Sequence, residues 1–323
     1  MRSEDETVFC CRVCAGAEKS ATYEAREMMY GLRTQFHYAQ CAECGSLCLT
    51  DPPTDYSQYY SGEYYSFKQV QGDAREIILN FLRPTRDAAY FGNAGWWGRF
   101  LARHFEERSL LSVSKLKVAR EARILDAGCG SGQLLHRMSA FGFTNLSGVD
   151  PFLAHDIMNG NGVTIRKAYL EEVTDGEYDL VMFHHSLEHV VDPRRTLRSA
   201  GRLLASRGKC MVRLPVMGRA WELYGTNWVQ LDPPRHTWIP TEKAMTLLAE
   251  SAGLRVEHVE YDSTAFQFWG SELREKDIPL IRGGVHGLRE LRFAGKMKKF
   301  RSSAEALNLA GCGDQAAFLL SRQ

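Results

Sequence analysis

A run of acid–base side chains lies near the middle of the chain, in the stretch HHSLEHVVDP. His185, Glu188 and His189 have the spacing H-x-x-E-H, which on a helix can gather two imidazoles and a carboxylate around one zinc ion for peptide hydrolysis. Here the run directly follows the apolar segment DLVMF, and Asp192-Pro193 is typical of the first positions of a new helix. We therefore predict a loop at the end of a strand, which lacks the helical presentation that a peptidase needs.

The same loop can serve a different chemistry, because histidine titrates near neutral pH and can accept a proton from a hydroxyl or an acidic carbon. We predict that His184 or His185 lines a pocket, with His184 a candidate cofactor contact and His185 a candidate catalytic residue. Glu188 and His189 are predicted to shape the loop or to assist proton removal. The alternative for His189 is a buried side chain that only ties the loop down.

Cysteines are concentrated at the start of the chain, where six of the nine fall within the first 48 residues. Two C-x-x-C turns can each direct two thiolates at one ion, and together they complete a tetrahedral four-sulfur shell. The ligands predicted for a structural zinc are Cys11, Cys14, Cys41 and Cys44. Cys10 and Cys48 are out of register with these turns. A redox-active C-x-x-C pair is the alternative, whereas a closed zinc site would fold about forty residues that lack a core of their own.

A glycine-rich turn follows the apolar segment ARILDAG, in the stretch LDAGCGSGQ. Glycines let the backbone approach a ligand at the start of a helix. The spacing is G-x-G-x-G, and Gln133 occupies the place of the third glycine in a dinucleotide fingerprint. An aspartate ends the next strand about twenty residues later, where a carboxylate can bind two ribose hydroxyls. The predicted cofactor site comprises Asp126, Gly128, Gly130, Gly132 and Asp150.

Strands and helices alternate from about residue 121, as in an α/β fold with a mostly parallel sheet. Seven segments are predicted as strands: ARILDAG, NLSGVD, GVTIRK, YDLVMF, GKCMVRLP, LRVEHVEY and QAAFLLS. Apolar positions at helical spacing predict two helices within 73–110. The predicted organisation is a zinc ribbon over 1–55, an aromatic and helical linker over 56–118, and the main domain over 119–323.

The composition is that of an ordinary globular protein, with 44% hydrophobic and 24% charged residues. A net charge of +1 gives no reason to expect binding to nucleic acid. The first residues, MRSEDETVF, are acidic and polar, unlike a secretory signal. No apolar run approaches the roughly 20 residues that span a bilayer. We expect a cytoplasmic protein without membrane insertion, and the sequence leaves its oligomeric state open.

Taken together, these segments resemble the class I S-adenosylmethionine-dependent methyltransferases, in particular the subgroup with an N-terminal zinc ribbon. ILDAGCGSGQLL is similar to their first motif, GVDP to their second, and YDLVMFHHSLEHVVDPRRTL to their fourth strand and its loop. The resemblance implies a Rossmann-like fold in which the three glycines hold the methionine end of S-adenosylmethionine and Asp126 organises their loop. It also implies that Asp150 binds the ribose and that Tyr169 and Leu170 contact the adenine.

A later segment, DPPRHTWIPTEKAMTLLAESAGL, is similar to one found in sugar-modifying members. There the sequence reads Glu-His and the histidine takes part in catalysis, which implies that His236 is the general base, although Arg235 replaces the glutamate. Quinone-biosynthesis methyltransferases carry E-x-x-E-H at the place of the earlier loop, and some use a divalent ion there. A second metal at His185, Glu188 and His189 is therefore left open.

The resemblance implies an enzyme that transfers a methyl group to an oxygen, or a carbon, of a small-molecule acceptor. A sugar, nucleotide-sugar or glycan is the expected acceptor, which would place the protein in carbohydrate biosynthesis. A quinone-type or other small-molecule O-methyltransferase is one alternative, and a ribosomal-RNA methyltransferase with a zinc ribbon is another. An NAD oxidoreductase would bind no S-adenosylhomocysteine, and a non-catalytic protein would bind it but methylate nothing.

Aromatic residues are frequent just before His236 and just after it. Trp221, Tyr224, Trp228 and Trp238 can form a lid suited to sugar faces, or pack in the core. The basic run RELRFAGKMKKFR near the end of the chain is typical of a solvated helix face, and its alternative role is to hold a phosphorylated acceptor.

Overall fold

The computed structural model describes residues 9–60, 74–92, 94–158, 162–281 and 295–323. Parts of the predicted linker and of the basic run, 61–73 and 289–294, lie outside the described residues. The chain divides into two compact units. The first, called here the ribbon unit, comprises Met1–Tyr59, His185–Gly201 and Val212–Gln323. The second, called the glycine-loop unit, comprises Tyr60–His184 and Arg202–Met211. The predicted domain boundaries at residues 55 and 118 stay predictions.

Strands and helices alternate from Arg123 onward, which confirms the predicted α/β class. The strands are β1 (Lys19–Arg26), β2 (Gln35–Cys41), β3 (Leu47–Leu49), β4 (Arg123–Ala127), β5 (Asn145–Val149), β6 (Ile157–Met158), β7 (Val163–Arg166), β8 (Tyr178–His184), β9 (Leu204–Pro215), β10 (Trp238–Ile239), β11 (Leu254–Tyr261) and β12 (Gln315–Arg322). The helices are α1 (Ala74–Asp87), α2 (Trp96–His104), α3 (Arg108–Lys115), α4 (Gln133–Ser139), α5 (Pro193–Leu203), α6 (Arg219–Tyr224), α7 (Glu242–Ser251), α8 (Phe266–Glu275) and α9 (Met297–Leu309). Within the part of the chain that is described, no helix has the length and apolar character needed to span a bilayer.

The sheet of the glycine-loop unit has the strand order β9-β8-β4-β5-β7-β6. β4 runs parallel to both β5 and β8, and β5 runs parallel to β7, so the predicted mostly parallel sheet is confirmed. The sequence does not predict the short β6, which pairs antiparallel with β7 at the edge. Ile124 and Leu125 on the central β4 are both fully buried, as expected where both faces of a parallel sheet are covered.

The register of β4 and β5 determines where the glycine-rich turn lies. Ala127 is opposite Val149 at the carboxyl ends of the two strands. Because the strands are parallel, the segments that leave Ala127 and Val149 begin at the same edge of the sheet. The backbone N–H of Gly128 donates to the carbonyl oxygen of Val149 at 2.8 Å, which joins the two segments.

The ribbon unit begins with a four-stranded antiparallel sheet in the order β1-β2-β3-β10. β2 pairs with β1 and with β3, and β3 pairs in turn with β10. In the last pair, Cys48 lies opposite Trp238 and Leu47 opposite Ile239. The sheet of the cysteine-rich segment is therefore completed by a strand that directly follows the candidate base in the sequence.

The remainder of the ribbon unit contains the antiparallel pair β11 and β12 and helices packed on their own apolar core. The hydroxyl of Thr241 accepts a hydrogen bond from the backbone N–H of Ala244 at 3.0 Å and caps α7. Asp192 accepts from the backbone N–H of Arg195 at 3.0 Å, at the start of α5. These caps fix the starts of both helices that follow the predicted site loops.

Candidate functional site

The glycine loop joins β4 to α4 and has a backbone that other residues rarely adopt. Gly128, Gly130 and Gly132 have φ angles of 75°, 54° and 76°, in the left-handed region. A Cβ atom on Gly132 would lie 2.1 Å from Cδ1 of Ile165, so a side chain there would also clash. The three predicted glycines are thus required by the backbone of the loop itself.

Asp150 follows β5 and binds the glycine loop directly. Its Oδ2 accepts a hydrogen bond from the backbone N–H of Gly130 at 2.9 Å, and its Oδ1 accepts from that of Phe152 at 2.9 Å. The residue is only 6% exposed. The structure places Asp150 beside the loop that the sequence assigned to the same site, and its role toward a ribose stays a prediction.

Asp126 lies at the end of β4, and its carboxyl group is almost completely buried. Its Oδ1 has no hydrogen-bond partner among the described residues. Burial, and secondarily the charge of Asp150, raises the pKa of Asp126 to about 7. A buried carboxyl oxygen without a donor next to a glycine loop can accept a hydrogen bond from a positively charged ligand group.

The other predicted cofactor contacts lie at the ends of the neighbouring strands. Tyr169 follows β7, and its side chain is 58% exposed, whereas Leu170 begins a short 3-10 turn and is buried. His184 is the last residue of β8 and is partly buried. The exposed ring of Tyr169 can cover a flat ligand, and the predicted roles of all three residues remain predictions.

Asp150→Ala is expected to weaken the binding of S-adenosylhomocysteine by roughly 1.5–3 kcal/mol, the range for loss of a charged hydrogen-bonding partner. Titration calorimetry measures this directly. Asp175→Ala provides the control in the same unit, because Asp175 is exposed and pairs with Arg166 at 3.0 Å on the surface. Unchanged affinity in Asp150→Ala would remove this residue from the site.

A second cluster of titratable groups lies in the ribbon unit, around the carboxylate of Glu188. The residue is fully buried, and its Oε1 accepts a hydrogen bond from Nδ1 of His185 at 3.2 Å. Nε2 of His236 lies 3.9 Å from the same oxygen. The other oxygen, Oε2, has no hydrogen-bond partner among the described residues. The structure thus brings together three residues that the sequence singled out in two separate segments.

The three neighbouring imidazoles control the ionisation of Glu188. Burial alone would raise the pKa of its carboxyl group. The hydrogen bond from His185, together with the charges of His185, His189 and His236, outweighs burial and lowers the pKa to about 2. Glu188 is therefore ionised at neutral pH. Its carboxylate is a buried negative charge close to the surrounding imidazoles.

His236 has a defined tautomer, because its Nδ1 lies 2.7 Å from the carbonyl oxygen of Gln230, which can only accept. Nδ1 therefore carries the proton in the neutral ring, and the lone pair is on Nε2, which lies 3.9 Å from Oε1 of Glu188. Burial, and then the charge of His189, lowers the pKa of His236 to about 4. His236 is consequently neutral at physiological pH and can accept a proton only at Nε2.

His189 is the third imidazole of the cluster. Its Nδ1 donates to the carbonyl oxygen of Arg235 at 2.8 Å, and its ring meets that of His236 edge to face with centroids 4.9 Å apart. Glu188, His189 and His236 each offer a ligand atom, and these atoms lie within 4.8 Å of one another. Two imidazoles and one carboxylate form a donor set that suits divalent transition metals. His236 thus takes the place that the sequence gave to His185 in a metal site.

The H-x-x-E-H stretch lies where the sequence predicts it. β8 ends at His184, a 3-10 turn covers Leu187–His189, and α5 begins at Pro193. The stretch is a loop after a strand, so it lacks the helix on which a peptidase presents these ligands. The interpretation as an inverted zinc peptidase is excluded.

Sequence reasoning missed the residues that hold this cluster in place. The backbone N–H of Thr237 donates to the carbonyl oxygen of Glu188 at 2.9 Å, and the indole N–H of Trp238 donates to that of Leu187 at 3.1 Å. Arg235 is fully buried and forms ion pairs with Asp232 at 2.6 Å and with Glu27 at 3.1 Å. Apart from Asp232, which lies three residues before Arg235, these partners are far apart in the chain, and no local sequence signal links them.

The four predicted cysteine ligands are brought together in the ribbon unit. All four thiol sulfurs lie within 4.8 Å of one another, with Cys11 and Cys44 3.5 Å apart and Cys14 and Cys41 also 3.5 Å apart. The hydrogen bond with Cys11, and then burial, raises the pKa of Cys44 to about 12. Four crowded thiols become thiolates only with a cation among them, and the set fits the closed tetrahedral shell of zinc. That zinc is the bound ion stays a prediction.

The comparisons with known proteins identify the family to which the chain is similar. A family model described as a methyltransferase domain matches residues 94–259, just over half of the chain. Among curated proteins the chain is similar to ubiquinone biosynthesis O-methyltransferases. That of Caulobacter sp. (strain K31) is 28% identical over 196 residues, which cover 51% of this chain and 77% of that protein. That of Azorhizobium caulinodans is 33% identical over 176 residues, which cover 50% of this chain and 64% of that protein.

Solved structures of similar fold are more distant in sequence. An S-adenosylmethionine-dependent methyltransferase from Mesorhizobium loti is 16% identical with a TM-score of 0.43, and the match covers 66% of this chain and 97% of that one. Geranyl diphosphate C-methyltransferase from Streptomyces coelicolor A3(2) is 13% identical with a TM-score of 0.45, and the match covers 84% of this chain and 90% of that one.

Proposed function

The chain belongs to the methyltransferase-domain family and is an S-adenosylmethionine-dependent methyltransferase, and we propose that it methylates a hydroxyl oxygen of a small-molecule acceptor. The observation that carries the proposal is the buried, neutral His236, with Nδ1 fixed by Gln230 and Nε2 beside the ionised Glu188. The free Nε2 of a neutral imidazole can take up the proton that a hydroxyl loses on methylation, and the nearby negative charge of Glu188 favours the imidazolium that forms.

Residues of the glycine-loop unit are suited to bind S-adenosylmethionine. The methionine end of S-adenosylmethionine carries an ammonium group, and the oxygen of Asp126 that lacks a donor can accept a hydrogen bond from it. The three glycines of the loop that precedes α4 have positive φ angles, a backbone that lets a ligand approach closely. Bound S-adenosylmethionine supplies an activated methyl group. The protein's part is to align the acceptor for in-line displacement and to remove its proton.

The pKa of His236 indicates which hydroxyl is suitable. Burial lowers the pKa of His236 to about 4, which makes its neutral ring a weaker base than an unperturbed histidine. Such a weak base suits an acceptor that already ionises readily, such as a phenol with a pKa near 10, better than a far less acidic sugar hydroxyl. We therefore place a phenolic acceptor ahead of the sugar expected from the sequence. The printed names of the ubiquinone O-methyltransferases support this order.

A metal-assisted version of the same reaction is the second candidate. It is favoured by the grouping of Glu188, His189 and His236, whose ligand atoms lie within 4.8 Å of one another. A divalent ion held there would act as a Lewis acid on the acceptor oxygen and lower the pKa of its hydroxyl. The carboxylate and the two imidazoles would then be ligands, and proton transfer to His236 would not be needed.

The acceptor is tested by incubating the pure protein with methyl-labelled S-adenosylmethionine and a panel of catechols, hydroquinones, nucleotide-sugars and RNA. We expect label in the phenolic compounds, with the methyl group on oxygen when the products are analysed by mass spectrometry. Label only in nucleotide-sugars or only in RNA would refute the phenolic proposal. Repeating the assay after dialysis against a chelator that leaves the cysteine-bound metal in place separates the two candidates, because only the metal-assisted reaction should stop.

A further inference from the structure

The four-cysteine cluster is connected by backbone pairing to the segment that carries the proposed base. β3 directly follows the second C-x-x-C turn, and β10 directly follows His236 in the sequence. The two strands pair, and the backbone N–H of Leu49 adds a hydrogen bond to the carbonyl oxygen of Thr237 at 2.9 Å. The chain leaving the cysteine cluster and the chain leaving His236 are therefore parts of one sheet.

The second C-x-x-C turn also contacts the chain on the far side of β10. The hydroxyl of Thr241 donates to the carbonyl oxygen of Cys44 at 2.7 Å, and the ammonium of Lys243 donates to that of Glu43 at 2.7 Å. The first turn makes a matching contact, because a guanidinium nitrogen of Arg12 donates to the carbonyl oxygen of Val191 at 2.9 Å. The first turn thus binds the loop that follows Glu188 and His189, and the second binds the start of α7.

Tyr38 makes the most direct contact between the cysteine-rich sheet and His236. It lies on β2, is fully buried, and its hydroxyl donates to the carbonyl oxygen of His236 at 2.7 Å. Because a carbonyl can only accept, the phenol proton is committed to this bond. A buried hydrogen bond to the backbone of one residue fixes the position of that residue more closely than packing alone.

The segment that follows His236 also binds the loop that contains Glu188. The hydroxyl of Thr237 donates to the carbonyl oxygens of Glu188 and Val190, at 3.2 Å and 3.0 Å. Trp238, fully buried, holds the loop through Leu187, as described above. A shift of the chain around residues 236–238 would therefore move His236 and the Glu188 loop together.

We propose that the four-cysteine ribbon positions the acid–base cluster, with Tyr38 as the positioning residue between the ribbon and His236. The inference rests on the proposed function for its effect on catalysis, but the positioning itself concerns only contacts within the ribbon unit. Loss of the metal from the cysteines, or of the Tyr38 hydroxyl, releases the backbone of residues 236–238. Neither Tyr38 nor residues 236–238 are among the predicted cofactor contacts, so the affinity for S-adenosylhomocysteine is expected to stay unchanged.

The test compares Tyr38→Phe with Tyr23→Phe in the full-length, metal-loaded protein. The hydroxyl of Tyr23 bonds the side chain of Gln40 at 3.0 Å, so Tyr23→Phe also removes one hydrogen bond from the ribbon sheet without touching His236. Hydrogen exchange read by mass spectrometry should become about two- to tenfold faster over residues 235–240 in Tyr38→Phe, the effect of losing one buried hydrogen bond. In Tyr23→Phe exchange over those residues should be unchanged. Removal of the metal by a strong chelator should accelerate exchange over the same residues further.

Two further readouts distinguish positioning from general stability. Tyr38→Phe should lower kcat while KM for S-adenosylmethionine and calorimetric affinity for S-adenosylhomocysteine remain at the wild-type values. Unchanged exchange over 235–240, in both Tyr38→Phe and metal-free protein, would overturn the inference. Faster exchange with undiminished kcat would leave the positioning established and remove His236 from the role of base, so failure of the two proposals is distinguishable.

Discussion

Replacement of His236 by asparagine is expected to lower turnover by about 10²–10⁴-fold while the affinity for S-adenosylhomocysteine stays unchanged. Asparagine keeps a side-chain N–H that can donate to the carbonyl oxygen of Gln230, as Nδ1 of the histidine does. It lacks a basic nitrogen at the position of Nε2, so the loss reports proton removal and not collapse of the loop. Rates with a phenolic acceptor and calorimetry with S-adenosylhomocysteine measure the two quantities.

His258→Asn is the matched control, because His258 lies on β11 in the same unit and is exposed. A merely structural role for His236 would lower thermal stability and change all kinetic parameters slightly. If His236→Asn kept more than about a tenth of wild-type turnover, the role of base would pass to His189 or His185.

The pH dependence gives an independent expectation for His236. An unperturbed histidine would produce a rise in rate around pH 6.5, but burial has lowered the pKa of this residue to about 4. Because the neutral form is the base, activity should be retained down to roughly pH 5 and fall as the pH passes through about 4. A rise centred near pH 6.5 that persists in His236→Asn would instead identify another imidazole as the base.

The same shift affects stability in a defined direction. The pKa of His236 is lower in the folded protein than in the unfolded chain, so between about pH 6.5 and 4 the unfolded chain binds more protons. Stability is therefore fully present above this window and decreases as the pH falls through it. Glu188, with its pKa lowered to about 2, contributes stability that is lost at still lower pH. Denaturant titrations at several pH values across this window give the free energy of unfolding. This free energy should decrease more steeply with falling pH in wild type than in His236→Asn.

Features formed by contiguous residues could be predicted from the sequence. The glycine loop, the aspartates at the ends of β4 and β5, and the loop character of the H-x-x-E-H stretch all depend on strand and turn patterns that extend over a few residues. The strand pattern identified the α/β class for the same reason. The short β6 was missed because Ile157–Met158 is too brief to produce an alternating pattern.

Features that depend on distant residues could not be predicted. Glu188 and His236 were predicted as site residues from two separate segments. No sequence pattern near either residue indicates that their side chains lie 3.9 Å apart. The buried ion pair of Arg235 with Glu27 was not foreseeable, and neither was the low pKa caused by burial of His236. Of the aromatic residues considered for a lid, Trp228 and Trp238 are fully buried and bond through their indole N–H groups, so they belong to the core.

Cys41→Ser is expected to release the metal of the ribbon and to unfold the cysteine-rich segment. A serine hydroxyl stays protonated and binds zinc poorly, and three thiolates cannot close a tetrahedral structural shell. Structural zinc contributes on the order of 10 kcal/mol in small metal-dependent domains, more than the core of some forty residues can supply. The metal content per chain, measured by mass spectrometry of the elements, should fall from one ion to near zero.

Cys10→Ser provides the control, because Cys10 is exposed and lies outside the four-sulfur cluster. It should keep the metal and resist proteolysis over residues 9–59 as wild type does, whereas Cys41→Ser should be cleaved rapidly there. Gently prepared wild-type protein that contains no metal would show the zinc prediction to be wrong.

Because β3 is paired with β10, unfolding in Cys41→Ser should not stop at the cysteine-rich segment but should extend to β10. Trp238 is fully buried in the folded protein and should become exposed when β10 unfolds, so its fluorescence should shift to longer wavelength. If the cysteine-rich segment unfolded without affecting β10, this emission would be unchanged.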